Sequence, residues 1–380
     1  MHNAQCYIGE TTLSFKLSLP LSKSVRAREL VLDALAGKIV EVEDENDDIF
    51  VLSRALYNSQ FTIHNSQFTI HNCQTSQTSQ TRRTTLNSQL STFNFQLSTL
   101  NLNASGTALR FLTAYCAVTE GAWELTGSKR LCERPIKPLV DALRGMGASI
   151  EYVEKEGFAP LRIKGQKLKG GRVRLDASLS SQFASALMLI ADKVEGGVDI
   201  EYEGDVASEA YIRLTEKVIE RYRRGERRSE EKDWSSAMVW YAAMAVLRTG
   251  RFLLEGLSLD SCQPDRAIVD VFEKLGVRTI ETERGVIIEA NGDIVDKLVV
   301  DCKNMPDAVM YIAVAACVLG VDFEISGIET LRVKESDRIE ALITEMEKCG
   351  YLIQCTMHNA QCTINNAQFT IHNSQYTIYD

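Results

Sequence analysis

The sequence predicts an α/β protein of the mixed (α+β) kind, divided into two domains. Three observations carry that expectation: the length, an amphipathic helix that three times ends at glycine and runs into a strand, and a second set of helices that are apolar nearly all round. At 380 residues the chain exceeds the size at which one hydrophobic core keeps growing, so two cores are expected. The amphipathic kind reads PLVDALRGMGASIEY from Pro138, RAIVDVFEKLGVRTI from Arg266 and RIEALITEMEKCGYLI from Arg338. In these, Gly147, Gly276 and Gly350 stand where a helix C-terminus needs a left-handed residue.

The apolar kind reads GTALRFLTAYCAV, SSQFASALMLIA, WSSAMVWYAAMAVL and DAVMYIAVAACVLG. A helix without a polar face is expected to be buried inside a domain. Each starts with a small or polar pair, and Pro306-Asp307 and Ser235-Ser236 suit a first helical turn. Such ends present free N–H groups and a positive dipole, so together they suggest a cleft for a phosphorylated ligand. The plainer reading, that all four are capped core helices, fits the spacing equally well.

Composition narrows the class. Hydrophobic residues at 45% and charged residues at 24% are globular values. A net charge of −9 argues against nucleic acid as the main partner. The one basic run, RYRRGERR from Arg221, sits among glutamates and reads as a solvated face or linker. The longest apolar stretch, around Ala308 to Leu319, is well short of the roughly 20 residues that span a bilayer. The N-terminus MHNAQCYIGE has neither the basic start nor the apolar core of a signal peptide. No membrane association and a cytoplasmic location are expected. The 10 cysteines form no C-x-x-C pair, and most, such as Cys116 and Cys317, sit singly in apolar segments as small hydrophobes. Reduced thiols, with no zinc and no disulfide framework, are expected.

Three segments stand apart. From Cys355 the chain divides into sevens, CTMHNAQ, CTINNAQ, FTIHNSQ and YTIYD; FTIHNSQ and FTIHNCQ recur between Phe61 and Gln74, and MHNAQC opens the chain. Apolar residues at the first and third positions of each seven give neither coiled-coil nor helical spacing. A short F-T-I strand with an Asn/Ser/Gln turn is conceivable, but weakly structured Asn/Gln-rich sequence is the expectation. Seven codons per unit suggest translated DNA repeats. All five histidines, His2, His64, His71, His358 and His372, lie in these segments. The rest of the chain therefore offers no histidine triad, histidine–metal site or imidazole acid–base chemistry.

Cations cluster in what remains: Lys23 and Arg28, with Ser24 between them, in LPLSKSVRAR, Arg134 and Lys137 in CERPIKPL, and Lys334 and Arg338 in LRVKESDRIEAL. Singly these are weak signals, and Lys334 and Arg338 could equally line one helix face with Glu335 and Asp337. In order, however, PLSKSVRAR, SGTALRFLTA, ERPIKPLVDALRGMGA, SLSSQFASALM, ASEAYI, DWSSAMVWYAA, QPDRAIVDVF, MPDAVMYIAVAA and RVKESDRI form a specific run. With it the chain resembles the enolpyruvyl transferases and, within them, the 5-enolpyruvylshikimate-3-phosphate synthase family, over most of residues 11–354.

The resemblance implies two domains of repeated βαβαββ units with buried helices. It implies a first domain at 22–232 with a low-complexity insert at about 57–101, a second at 1–21 plus 233–354, and a tail at 355–380 expected to be disordered. The implied reaction moves the enolpyruvyl group of phosphoenolpyruvate to the 5-hydroxyl of shikimate 3-phosphate, without metal or organic cofactor, in a monomer whose two domains close to exclude water. Shikimate 3-phosphate is then expected on Lys23, Ser24, Arg28, Ser180, Ser181, Gln182, Ser208 and Tyr211, with its phosphate ester near Ser180 and Ser181. Phosphoenolpyruvate is expected on Gly106, Arg134 and Arg338, with Lys23 and Gln182 touching both ligands. Asp307 is implied as the base at the 5-hydroxyl and Glu335 as the proton donor to the methylene carbon, with Lys23 and Lys334 stabilising charge.

The copy departs from the pattern in four places. The glycine loop reads N-A-S-G-T, which puts Ala104 where a polar residue is expected and shifts Asn103 by one; the insert just before it is expected to disturb the loop. RYRRGERRSEEK replaces a pair of strands between Tyr211 and Asp233. Thr330 stands where the family has Asn before LRVKESDR, and it keeps one hydrogen-bonding group for substrate. Beyond Gln354 the resemblance implies a further repeat unit with a His-Arg pair and a later Lys, expected here to be missing, with low stability and weak or absent turnover. The alternatives are an inactive remnant that at most binds shikimate 3-phosphate, the related transferase acting on a UDP-amino sugar, and an interaction protein driven by the heptads.

Overall fold

The computed structural model describes residues 4–9, 12–43, 47–60, 97–226, 230–358 and 361–366, so the heptads at 61–74 and 367–380 lie outside the described residues. Two compact units emerge: a central one of residues 20–233 with 262–264, and a flanking one of residues 1–19, 234–261 and 265–380, the terms referring to position along the chain. The flanking unit begins with strands β1 (Ala4–Gly9) and β2 (Thr12–Ser18). The central unit then runs α1 (Lys23–Leu35), α2 (47–60), β3 (Ser98–Asn101), α3 (Gly106–Val118), β4 (Gly121–Thr126), α4 (Lys129–Cys132), α5 (Lys137–Gly145), β5 (Ser149–Tyr152), β6 (Leu161–Gly165), β7 (Lys169–Asp176), α6 (Ser181–Ile190), β8 (Glu195–Glu203) and α7 (Glu209–Arg223). The flanking unit resumes with α8 (Trp234–Leu247), β9 (Arg251–Glu255), α9 (Ile268–Glu273), β10 (Leu275–Thr282), β11 (Gly285–Ile294), β12 (Lys297–Asp301), α10 (Val309–Leu319), β13 (Asp322–Ser326), α11 (Arg338–Lys348), β14 (Ile353–His358) and β15 (Gln361–Asn366).

One topology recurs. In β3–α3–β4–α5–β5–β6 the first two strands are parallel, joined through a helix, and the closing hairpin returns antiparallel, giving the sheet order β3-β4-β6-β5. The set β2–α8–β9–α9–β10–β11 repeats that order as β2-β9-β11-β10, with β1 added at the edge of β2. The set β12–α10–β13–α11–β14–β15 repeats it again as β12-β13-β15-β14. A fourth set, β7–α6–β8–α7, stops after its parallel pair: among the described residues no closing hairpin lies between α7 and α8. The segment RYRRGERRSEEK therefore stands where such a hairpin would be. Of its described arginines, Arg223 pairs with Asp192 at 2.6 Å and Arg224 with Glu220, both along the end of α7.

The heptads behave differently from expectation where they are described. Residues 353–358 and 361–366 form a hairpin, with Cys355 opposite Ile364 and Thr356 opposite Thr363. β15 pairs in turn with β13, so repeat-derived sequence closes the third βαβαββ unit. The opening fragment likewise contributes β1. Each of the described repeats contributes one short strand. That is enough when a neighbouring strand already presents an unpaired ladder.

Gly147 and Gly350 follow α5 and α11 with φ of 95° and 86°, as helix-ending glycines do. Gly276 departs from expectation. It lies within β10, at a bulge between Leu275 and Val277, with φ of 83°. The predicted α10 start is also displaced: Pro306–Ala308 form a 3₁₀ turn and the α-helix begins at Val309.

Each unit has its own core. Trp123, Phe111, Tyr115 and Phe183 fill the central one; Trp234, Tyr241, Phe272 and Phe323 fill the flanking one. Cys116 of α3 and Cys317 of α10 are buried in these cores, and burial pushes the Cys317 thiol up to about 11. No described helix is long and apolar enough to cross a membrane.

Candidate functional site

In the central unit α1, α3, α6 and α7 pack together. Serine caps open three of them. Ser22 accepts from the Val25 N–H, Ser105 from the Ala108 N–H and Ser180 from the Gln182 N–H. Each cap stabilises its helix by about 1 kcal/mol and fixes where the chain enters it. Lys23 and Ser24 form the first turn of α1, and Ser181 and Gln182 that of α6. Gln182 donates to Thr107 Oγ1 at 3.0 Å, joining the start of α6 to the start of α3. Ser208 precedes α7 with φ and ψ both 51°, a left-handed conformation that is uncommon for serine and often found at functional sites.

Arg28 lies one turn into α1 and is 3% exposed. Its guanidinium donates to Thr215 Oγ1, Ser185 Oγ, the Ser24 carbonyl and the Tyr211 carbonyl, so the early turns of α1, α6 and α7 meet at one cation. None of those acceptors carries a charge. Burial pulls the guanidinium down to about 10, which leaves it protonated at neutral pH.

Gly106 opens α3 directly against Arg134. A Cβ at Gly106 would lie 2.2 Å from Arg134 Nη1, so only glycine admits the guanidinium there. Asn103, with φ of 49°, turns the loop before it, and its carbonyl accepts from the Ser128 N–H at 2.6 Å. The shifted asparagine thus tolerates a left-handed position, and β3, the loop and the cap at Ser105 are all formed despite the sequence that precedes them. Lys137, close to Arg134 in sequence, belongs to the surface instead, paired with Asp141 and Glu156.

In the flanking unit a second cluster forms where α11 begins and the turn before α10 ends. Arg338 donates to Asp307 Oδ1 at 2.7 Å and to Glu335 Oε2 at 3.1 Å, and Lys334 Nζ is 3.6 Å from Asp307 Oδ1. Burial alone would lower the Arg338 guanidinium, but the charges of Asp307 and Glu335 hold it above its ordinary value. Asp337 caps α11 by accepting from the Glu340 N–H, and Arg332 braces Asp337 at 3.1 Å. Thr330 is half-buried on the 3₁₀ turn Glu329–Val333; among the described residues no hydrogen bond joins its side chain to this cluster. Two carboxylates and two cations within ion-pair distance can exchange protons and accept an anionic ligand.

The profile of the family described as EPSP synthase (3-phosphoshikimate 1-carboxyvinyltransferase) matches residues 9–225 and 223–380. The chain belongs to this family. A 3-phosphoshikimate 1-carboxyvinyltransferase of Bacteroides fragilis is 39% identical over 268 residues, 66% of this chain and 65% of that protein. One of Actinobacillus pleuropneumoniae is 37% identical over 276 residues, 67% of this chain and 63% of that protein. The chain thus spans a little under two thirds of the length of these relatives. EPSP synthase of Acinetobacter baumannii shares the fold, with a TM-score of 0.58 at 18% identity over 96% of this chain and 84% of that one.

Lys23, Ser24, Arg28, Gly106, Arg134, Ser180, Ser181, Gln182, Ser208 and Tyr211 belong to the central unit, and Asp307, Thr330, Lys334, Glu335 and Arg338 to the flanking one. Sequence reasoning missed the groups that hold these residues: Thr107 on Gln182, and Ser185 and Thr215 on Arg28. A signal was present. Ser185 is a polar residue inside an all-apolar helix, and Thr215 lies among the buried Ile212, Leu214 and Val218 of α7.

Proposed function

We propose that this chain transfers the enolpyruvyl group of phosphoenolpyruvate to the 5-hydroxyl of shikimate 3-phosphate and releases phosphate. The step belongs to chorismate and aromatic amino-acid biosynthesis, and the protein performs it as a cytoplasmic monomer without metal or organic cofactor. The observation that carries the reading is Arg28, a fully buried guanidinium with only neutral acceptors, set among serine-opened helix starts. A buried cation of this kind is stabilised by an incoming anion.

In this reading Lys23, Ser24, Arg28, Ser180, Ser181, Gln182, Ser208 and Tyr211 hold the phosphorylated acceptor. Gly106, Arg134 and Arg338 hold phosphoenolpyruvate, whose carboxylate and phosphate suit bidentate arginines. Asp307 takes the 5-hydroxyl proton as the oxygen adds to C2 of phosphoenolpyruvate, and Glu335 gives a proton to C3. The tetrahedral adduct then loses phosphate as a methyl proton returns to the Glu335 carboxylate and the proton held by Asp307 leaves with the phosphate. Acid–base groups of this kind contribute about 10²–10⁴-fold. Lys23 and Lys334 offset the charge that develops on the departing phosphate. Arg338, joined to Asp307 and Glu335, exchanges one of those contacts for substrate carboxylate and so couples binding to release of the base.

The test is phosphate release from purified protein mixed with shikimate 3-phosphate and phosphoenolpyruvate. Release that is abolished in Lys23→Ala supports the transferase. Binding of shikimate 3-phosphate without release would support an acceptor-binding protein instead, and release with a UDP-amino sugar alone would move the chain to the related transferase.

A further inference from the structure

A guanidinium has five N–H donors and no acceptor. For Arg28 four of them are assigned: Nε to Thr215 Oγ1 at 2.7 Å, Nη1 to the Ser24 carbonyl at 2.6 Å, and Nη2 to Ser185 Oγ and the Tyr211 carbonyl, both at 3.3 Å. The second N–H of Nη1 has no acceptor among the described residues. The hydroxyl directions follow from the chemistry. Thr215 Oγ1 lies 2.8 Å from the Tyr211 carbonyl, which can only accept, so the Thr215 proton points there. Thr215 Oγ1 is also 2.8 Å from Ser185 Oγ, and with its own proton committed it accepts the Ser185 proton. Ser185 Oγ in turn has only its lone pairs to offer Arg28. Both hydroxyls are fully buried, so no water competes for them. Every rotor in the chain Arg28–Ser185–Thr215–Tyr211 is fixed in one sense, and the face of Phe111, 5.4 Å from the guanidinium carbon, closes one side of the group.

We propose that Ser185 and Thr215 are positioning residues, which hold the Arg28 guanidinium in the orientation that leaves one Nη1 N–H for the phosphorylated acceptor. This rests on the reading that Arg28 binds shikimate 3-phosphate. A neutral clamp suits the task. A carboxylate in place of Thr215 would neutralise the cation and compete with the ligand, whereas two hydroxyls orient it and leave its charge available.

The experiment uses full-length protein labelled with ¹⁵N-arginine, in which the Arg28 Nε–H resonance is assigned by its loss in Arg28→Lys. Thr215→Val keeps the shape but removes the acceptor; Thr215→Ser keeps the hydroxyl; Ser185→Ala removes the other partner. The expected result is that the Nε–H resonance moves and exchanges faster in Thr215→Val, and returns in Thr215→Ser. The Kd for shikimate 3-phosphate rises about tenfold in Thr215→Val and recovers in Thr215→Ser, each measured below the variant's own melting temperature. Ser185→Ala, which keeps the Nε contact, shifts the Kd less and provides the test if Thr215→Val fails to fold. An unmoved resonance with unchanged affinity in the folded variants would overturn the proposal. If the wild-type chain binds no shikimate 3-phosphate, the functional reading fails. The resonance then decides the clamp separately: moved in Thr215→Val and restored in Thr215→Ser supports it, unmoved in both overturns it.

Discussion

Helices of the same apolar character meet different surroundings in the two units. In the central unit α3 and α6 are enclosed by α1, α5 and α7, and their apolar residues are almost wholly out of water. In the flanking unit α8 and α10 pack on each other and on strands, yet Val239 and Val246 of α8 and Val314 and Val318 of α10 stay 37–45% exposed. The expectation of complete burial therefore holds for the first pair and fails for the second. An apolar circumference shows that a helix can be covered on every side. How many sides are covered depends on how many neighbours the topology supplies.

The sharpest way to test that contrast is to truncate one residue on each side of it. Phe183→Ala, in the closed core of α6, is expected to lower unfolding free energy by about 3–5 kcal/mol, and Val246→Ala, on the open face of α8, by less than about 0.5 kcal/mol. Urea denaturation of both variants checks this; similar losses would mean that α8 is as well covered as α6.

Close packing in the central unit also leaves no room at Gly106. Gly106→Ala should displace Arg134 by an ångström or more and reduce phosphate release about 100-fold, with little change in melting temperature. Retained activity would mean that Arg134 can move without consequence.

The third βαβαββ unit depends on a hairpin of repeated sequence, whereas the first closes with ordinary strands. Ile364→Pro removes a ladder N–H from β15, which lies between β13 and β14, and should weaken the flanking unit by about 1–3 kcal/mol while the central unit melts as before. Hydrogen exchange at β13 reads this directly, and unchanged protection there would show that the hairpin contributes nothing. The smallest effect is expected from Val246→Lys with Val318→Lys. Charges on the exposed face should raise solubility and leave stability within about 0.5 kcal/mol, as measured by precipitation and melting.

How far the sequence alone reached follows from the range of the interactions involved. The helix–glycine–strand units around Gly147 and Gly350 were legible because capping is local chemistry read within a few residues. Gly276 was misassigned because a bulge and a helix end ask for the same positive φ, and only strand pairing distinguishes them. Arg28 and Lys137 look alike in sequence, yet one is buried among hydroxyls and the other paired at the surface. Charge alone could not separate them. Ser185 and Thr215 meet Arg28 from 157 and 187 residues away, beyond any local pattern. The heptad strands were undervalued for the same reason: three alternating residues cannot make a stable strand alone, but they can complete a sheet whose edge is already built.

The central claim, that the helix starts around Arg28 bind a phosphorylated shikimate, is tested most directly by calorimetric titration of shikimate 3-phosphate into the wild-type chain and into Lys23→Ala. The account predicts saturable one-to-one binding that weakens at least about tenfold when the lysine charge is removed. No binding heat from wild-type protein with native melting behaviour, or equal affinity in both proteins, would contradict it.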